Sequence, residues 1–162
     1  TRRSSDLTMI NMGLVKIKGV DVVLQGLWKF GNDWVFDSRL SYTYQKAQDF
    51  TDKSDKDTYG GQISYIPWHS GSAILNAGYK SWELNYSFIY TGERYDVSAN
   101  TPENYRLPWY TSDFSLAKKF SWRKYDFKLT LEVNNIFNQQ YEVVRSYPMP
   151  GTNFKFILNL TI

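Results

Sequence analysis

The residues best suited to chemistry are Arg94, Tyr95, Tyr105, Arg106, Trp109, Arg145 and Tyr147, which lie in or beside polar stretches. Guanidinium groups and rings in such a setting suit an anionic or aromatic ligand, through charge-assisted hydrogen bonds and stacking. Asp49, Asp52, Asp55 and Asp57 form a second cluster. Their spacing is not that of an EF-hand, and Lys53 and Lys56 dilute the charge, so a solvated loop is expected there. His69 is the one histidine and there is no cysteine. A metal site would need carboxylates alone around that imidazole, and a Ser-His-Asp hydrolase would have to use it as base. Because His69 follows Pro67 where a strand opens, a structural role is expected. No catalytic, metal or cofactor site is expected.

The elements that must position these residues are strands. Residues 20–30 put Val20, Val22, Leu24, Trp28 and Phe30 on one face, with Asp21, Gln25 and Lys29 opposite. Gly31-Asn32-Asp33 then makes a short turn. Residues 34–46 set Trp34, Phe36, Leu40, Tyr42 and Tyr44 against Asp37, Arg39, Ser41 and Gln45. Residues 63–80 are strand-like but interrupted by Pro67. Trp82, Leu84, Tyr86, Phe88 and Tyr90 alternate with Glu83, Asn85 and Ser87. Residues 110–120 follow, and then Tyr125, Phe127, Leu129, Leu131 and Val133 alternate with Asp126, Lys128, Thr130 and Glu132. A strand continues into Asn134, Asn135, Ile136 and Phe137. The final strand places Phe154, Phe156, Leu158, Leu160 and Ile162 on one face. The period is two throughout, without a helical period of similar strength.

Composition narrows the class. The 162 residues are 18% aromatic, with 13 Tyr, 10 Phe and 6 Trp, too rich for a disordered chain. Mean hydropathy is −0.50, and no apolar run reaches the ~20 residues of a membrane helix. Strands that alternate can still cross a bilayer, because half their residues face away from lipid. The net charge of +3 is spread out, and no basic stripe points to nucleic acid.

Connections alternate in length. Short turns at residues 31–33, 80–81 and 121–124 are followed by polar loops at 47–61, 96–108 and 139–153. Phe30, Trp34, Tyr79, Trp82, Phe120, Trp122 and Tyr125 flank the short turns, while Tyr42, Tyr44, Tyr90, Trp109 and Phe137 lie near the other strand ends. This combination describes an all-β, antiparallel, up-and-down transmembrane barrel with an aromatic girdle at each interface. The competing expectations are a secreted or surface β-sandwich carbohydrate-binding module with aromatic platforms, and an outer-membrane hydrolase built on His69. In a barrel, Asp37, Arg39, Glu83, Asn85, Asp126, Lys128 and Glu132 would face the lumen.

Four stretches carry a family resemblance. Residues 15–24 read VKIKGVDVVL, with a Gly before an apolar-acidic pair. Ile66-Pro67-Trp68-His69-Ser70 opens a strand after a long loop. Tyr90-Thr91-Gly92-Glu93-Arg94-Tyr95 leaves a strand towards a loop. Residues 134–141 and 148–154 form a closing hairpin, in which Thr152 stands where an Arg is common. In this order they resemble the C-terminal barrel portion of TonB-dependent outer-membrane receptors. The resemblance implies an importer of a scarce nutrient such as an iron-siderophore, haem or cobalamin. It implies a plug domain in the lumen and an inner-membrane energy-coupling protein, TonB, acting through an N-terminal part. It also implies a barrel of ~22 strands. About seven strands are read here, and single-chain bacterial barrels start at ~8. The chain is therefore expected to be a C-terminal piece that needs the rest of the barrel, the plug and outer-membrane lipid as partners.

Overall fold

The computed structural model describes residues 13–161, so Ile162 of the final alternation lies outside the described residues. The strands in chain order are β1 (Val15–Phe30), β2 (Trp34–Asp49), β3 (His69–Tyr79), β4 (Trp82–Thr91), β5 (Arg94–Tyr95), β6 (Tyr105–Arg106), β7 (Trp109–Trp122), β8 (Tyr125–Asn134), β9 (Glu142–Val144), β10 (Tyr147–Pro148) and β11 (Asn153–Thr161). A 3-10 turn at Pro102–Asn104 sits between β5 and β6. Seven strands form one antiparallel sheet in the order β1-β2-β3-β4-β7-β8-β11. The pairs β5–β6 and β9–β10 are small hairpins carried in the loops. Each long strand pairs with the next long strand along the chain, which is the up-and-down topology that the short turns impose.

Register turns the alternation of each strand into continuous rows. Trp28, Phe36, Ala77, Leu84, Leu116, Leu131 and Phe156 stand opposite one another in succession across all seven strands. The neighbouring row is Leu27, Asp37, Asn76, Asn85, Ser115, Glu132 and Lys155. A slip of one residue in any strand would exchange the two faces. The polar face is concave: Asp37, Asn76, Glu83, Asn85, Lys128 and Glu132, from four strands, line one groove. The apolar face is convex and uncovered. Phe156 is 66% exposed, Leu158 57% and Leu131 51%, while Ala47 and Ala117 are the buried apolar residues among those described. A soluble sandwich would bury these side chains on a second layer, at ~1.5–3 kcal/mol each. The described residues supply no such layer, so the sandwich expectation fails on the sheet's architecture.

The apolar band occupies residues 20–30 of β1 and 34–44 of β2, close to the ~9–11 residues that a tilted strand needs to cross a bilayer. Both strands continue past the band, so that Val15 still pairs with Asp49. The first loop therefore begins at residue 50 rather than at 47. Within the band, the Trp28 ring lies across Gly26, where an added Cβ would fall 2.1 Å from the ring. The ring thus covers backbone that the glycine leaves bare.

Aromatic rings mark both rims. At the short-turn rim Trp34 packs on Tyr79 at 4.3 Å and Phe120 stacks on Phe127 at 5.1 Å. Lys118, Arg123 and Lys124 place their cations 4.4, 5.1 and 5.3 Å from the ring centroids of Trp82, Trp122 and Tyr125. At the long-loop rim Tyr110 packs against Phe88 and Phe137 at 6.0 and 6.2 Å. Trp109 differs from the girdle expected for it. It has the parity of the polar face, and its ring stacks on Tyr141 at 4.4 Å.

Two boundaries also differ from the sequence reading. The strand expected over residues 63–80 begins only at His69, because Pro67 has no N–H for the ladder and Tyr65 has φ +60°. The strand expected to run through Phe137 stops at Asn134, because Asn135 and Asn138 both have φ +50°. Asparagine tolerates that left-handed conformation better than most residues.

Leu131→Arg and Leu158→Arg should each block assembly, since a charge on the lipid face costs ~2–4 kcal/mol near the midplane. Asn159→Arg, on the concave face beside Leu158, should be tolerated. The check is the fraction of full-length protein that migrates as a folded, heat-modifiable band on cold SDS gels. Equal loss in both classes would contradict the assignment of faces.

Candidate functional site

The concave face collects every residue expected to face a lumen. Asp37, Arg39, Glu83, Asn85, Asp126, Lys128 and Glu132 all share the polar parity. Asn76 donates to Asp37 at 3.0 Å and accepts in turn from Asn85. The Glu83 carboxylate receives Lys119 at 2.5 Å and Lys128 at 2.6 Å. Glu132 lies 3.8 Å from Lys155, and Asp126 accepts from the Ser121 hydroxyl at 2.6 Å. Arg39 stands between Gln25 and Ile74 in register. Such exposed pairs contribute ~0–1 kcal/mol each, so their effect is to set the polarity of the surface.

The second candidate region lies at the long-loop end. Arg94 opens β5 and is only 3% exposed. Its Nη2 donates to the carbonyls of Glu142 and Val143 at 2.8 and 3.2 Å, which ties the second long loop to the third. Burial lowers the guanidinium's proton affinity; the nearby Tyr65 opposes this and Arg106 adds to it. Asp96, 5% exposed, accepts from Arg106 Nε at 2.8 Å and also from its Nη2, with Arg145 Nη1 at 3.5 Å. The Arg145 amide donates to the Tyr65 hydroxyl at 3.4 Å, and the Tyr65 amide donates to the Tyr95 carbonyl at 2.7 Å. The hairpin β5–β6 makes this geometry by setting Arg94 opposite Arg106 and Tyr95 opposite Tyr105.

Four of the expected ligand residues, Arg94, Tyr95, Arg106 and Arg145, thus meet around Asp96 and Tyr65. Tyr105 packs edge-on to Tyr95 at 5.8 Å, and burial raises its phenol's pKa. Tyr147 stands apart from the cluster at 71% exposed. A cleft opens between the second and third loops, lined by Arg106, Trp109, Gln139, Gln140, Tyr141 and Glu142. Burial, with the nearby Asp113 carboxylate, raises the Tyr141 phenol's pKa. The cleft therefore offers a stacked aromatic wall, one guanidinium and two amides. Asp96, Tyr65 and Tyr141 escaped the sequence reading. Asp96 opens a stretch that reads as a polar loop, and Arg106 and Arg145 become its partners only through the β5–β6 pairing and the approach of the third loop.

The other constellations resolve into structure. Asp49, Asp52 and Asp55 accept the amides of Thr51, Ser54 and Asp57 at 2.8, 2.8 and 3.0 Å, so these carboxylates shape turns. The Ser54 hydroxyl and amide hold the exposed Asp52 carboxyl below its usual pKa. His69 Nδ1 lies 2.8 Å from the Tyr42 hydroxyl, and its ring is 5.2 Å from Tyr44, which places the imidazole in the aromatic rim. In the closing hairpin Asn135 is 4% exposed. Its amide group donates to the carbonyls of Gln139 and Pro150 at 2.9 and 3.2 Å, and its Oδ1 accepts the Gln139 amide at 2.9 Å. The Thr152 hydroxyl donates to the Asn135 carbonyl at 2.7 Å. The stretch that carries the resemblance most specifically is therefore a side-chain scaffold for a loop. At the other end of the chain, a Cβ on Gly19 would lie 2.5 Å from the Tyr44 carbonyl oxygen, so the glycine there answers to backbone contact.

A protein-family model described as TonB dependent receptor-like, beta-barrel matches residues 1–136. The match spans the strands from β1 to β8 and the first two long loops.

Asp96→Ala would take the buried carboxylate away from Arg106 and Arg145, at a cost of ~1.5–3 kcal/mol for a lost hydrogen bond to a charged group. The barrel should still assemble, while both loops open to limited proteolysis near residues 96–108 and 139–150. Asp96→Asn should show a smaller effect. A cleavage pattern identical to the unaltered protein would show that the ion cluster does not hold the loops.

Proposed function

The chain belongs to the TonB-dependent receptor β-barrel family, and on that premise we propose that it is the C-terminal part of an outer-membrane importer. The family is one of outer-membrane receptor-transporters. The observation that carries the reading is the pair of unbroken rows: one face is apolar, convex and uncovered across seven strands, and the other is polar and concave. A bilayer outside and a wet interior are the environments that fit the two faces.

Among the described residues β1 and β11 each pair on one side only. In hydrocarbon, each unpaired backbone group costs several kcal/mol. That favours further strands on both edges, completing a barrel of ~22 strands wide enough for a plug. In this arrangement Glu83, Lys128, Glu132 and their neighbours would meet the plug domain. TonB, the energy-coupling protein of the inner membrane, would act through that plug rather than through this sheet. The long loops would face outwards and take a scarce nutrient, of the iron-siderophore, haem or cobalamin type, in the cleft lined by Arg106, Trp109 and Tyr141. Stacking on Trp109 and hydrogen bonds from Arg106, Gln139 and Gln140 give the cleft its selectivity.

In the full-length receptor, Trp109→Ala together with Gln140→Ala should lower nutrient affinity about tenfold, with a stacking loss of ~0.5–1.5 kcal/mol and a hydrogen-bond loss of similar size, and assembly unchanged. Dissipating the proton gradient should abolish uptake and leave binding intact. Growth on the limiting nutrient and binding to whole cells measure the two effects. Uptake that survives without the gradient would sink the energised-import reading.

A further inference from the structure

Trp109 stands at the long-loop end of the concave face, and the chain covers its ring. Its backbone is fixed in the ladder opposite Thr91, and its side chain has the parity of the polar face. Tyr141, from the third long loop, lies on that ring at 4.4 Å and 28° from parallel. The Trp109 indole nitrogen is buried and meets no acceptor among the described residues. A ring with a polar handle is well suited to recognition, yet here one face is capped and the donor is unused.

The segment that supplies the cap holds together as a unit. Below it the loop is tied down: Asn135 donates to the carbonyls of Gln139 and Pro150, and Asn138 Oδ1 accepts the Thr152 amide at 3.1 Å. Above those ties the Met149 amide donates to the Tyr141 carbonyl at 3.0 Å, and β9 pairs with β10. Residues 141–149 are therefore a strap with internal bonds of its own, joined to its base through Gln140 on one leg and Pro150 on the other. Val143, Val144 and Tyr147 are exposed, so little apolar burial secures it. Polar contacts do instead. Arg94 Nη2 donates to the Glu142 and Val143 carbonyls, the Arg145 amide donates to the Tyr65 hydroxyl, and the Arg145 guanidinium reaches Asp96. The cleft divides along the same line: Tyr141, Glu142 and Pro148 belong to the strap, Arg106 and Trp109 to the opposite wall.

We infer that residues 141–149 are an autoinhibitory lid, closed in this structure, which occludes Trp109 with Tyr141 and is latched by Arg94. Opening breaks the two Arg94 bonds, lifts Tyr141 off the ring and bares the Trp109 face together with its indole N–H. What enters then stacks on that face and accepts from the indole, so Tyr141 and the ligand compete for one surface. Apparent affinity is lowered by the fraction of molecules whose lid is closed. The inference rests on the import reading for the identity of what enters; the motion rests on the strap and its latch.

The test uses the full-length receptor with spin labels at Val20→Cys in the sheet and Val144→Cys on the strap, both exposed positions, and with fluorotryptophan to report on Trp109. With the latch intact there should be one label distance. The Trp109 fluorine resonance, assigned by its loss in Trp109→Phe, should carry the ring-current shift of Tyr141. Arg94→Gln should lengthen the distance by at least the ~5 Å between neighbouring strands and remove that shift. Arg145→Gln, which loses the Asp96 contact, should lengthen it in part, and it judges the motion should Arg94→Gln fail to assemble. Tyr141→Ala should remove the shift while the labels stay in place. An unchanged distance in the latch variants, or a Trp109 resonance unmoved in Tyr141→Ala, would overturn the lid. Haem, cobalamin and a ferric siderophore are then added separately to the labelled receptor with its latch intact. The one that binds should lengthen the distance and remove the shift; binding that leaves both unchanged would also overturn the lid. If none binds while Arg94→Gln frees the strap, the lid stands and the import reading loses its ligand.

Discussion

A strand in hydrocarbon has one place to put its N–H and C=O groups, which is on the strands beside it. That constraint governs the rest of this protein. It requires neighbours in unbroken register, and register in turn decides which side chains meet lipid. The succession from Trp28 to Phe156 holds across seven strands without a shift. A slip of one residue in any strand would send that strand's polar residues into the bilayer. The convex row is therefore a consequence of the ladder as much as of composition. The same constraint explains why hydroxyls within the band are satisfied internally: the Tyr86 hydroxyl lies 3.1 Å from that of Ser112, which is 1% exposed.

The two ends of the sheet solve different problems. At the short-turn rim the chain must reverse quickly, and Gly31, Lys80 and Arg123 do so with φ of 59°, 53° and 56°. The two non-glycine residues accept some strain there, of order 1 kcal/mol each, and both extend their cations over adjacent rings. At the long-loop rim the chain must cross from strand to strand over a wide opening, where the backbone meets water. Loops of that length need internal scaffolding, and they obtain it from side chains. Gln62 forms a single bridge to Gln48 of β2, and its Nε2 donates to the Ile66 and Glu93 carbonyls at 2.6 and 3.3 Å. Asn100 holds the Gln62 backbone from the second loop, with its Oδ1 taking the amide at 2.5 Å and its Nδ2 giving to the carbonyl at 3.0 Å. Asn135 performs a similar task in the third.

The strands, their faces and the alternation of short and long connections were legible because each depends on local spacing. Leu129, Leu131 and Val133 betray their face without any knowledge of β11. The breaks were less legible. Pro67 warned of an interruption, yet the segment before it reads apolar enough to extend the strand. Asn134 and Asn135 have the same composition, and only the second turns into the left-handed region. Trp109 was assigned to the lipid rim because it is aromatic and near a strand end, but a shift of one residue gives that place to Tyr110. The Arg–Asp cluster was invisible for a different reason. Its members lie far apart in the chain, 49 positions for Arg94 and the carbonyl of Val143 and 80 for Tyr65 and Arg145, and nothing in local spacing records which loops will touch.

That cluster bears on how a rigid sheet can host a responsive surface. The ladder below it cannot adjust without exposing backbone to lipid, so rearrangement at this end is confined to the loops. Yet the second and third loops are not independent. Arg94 reaches the β9 backbone, and Asp96 holds Arg106 from its own loop and Arg145 from the next. Displacing either of these two side chains would move both loops together, because the same two residues join them.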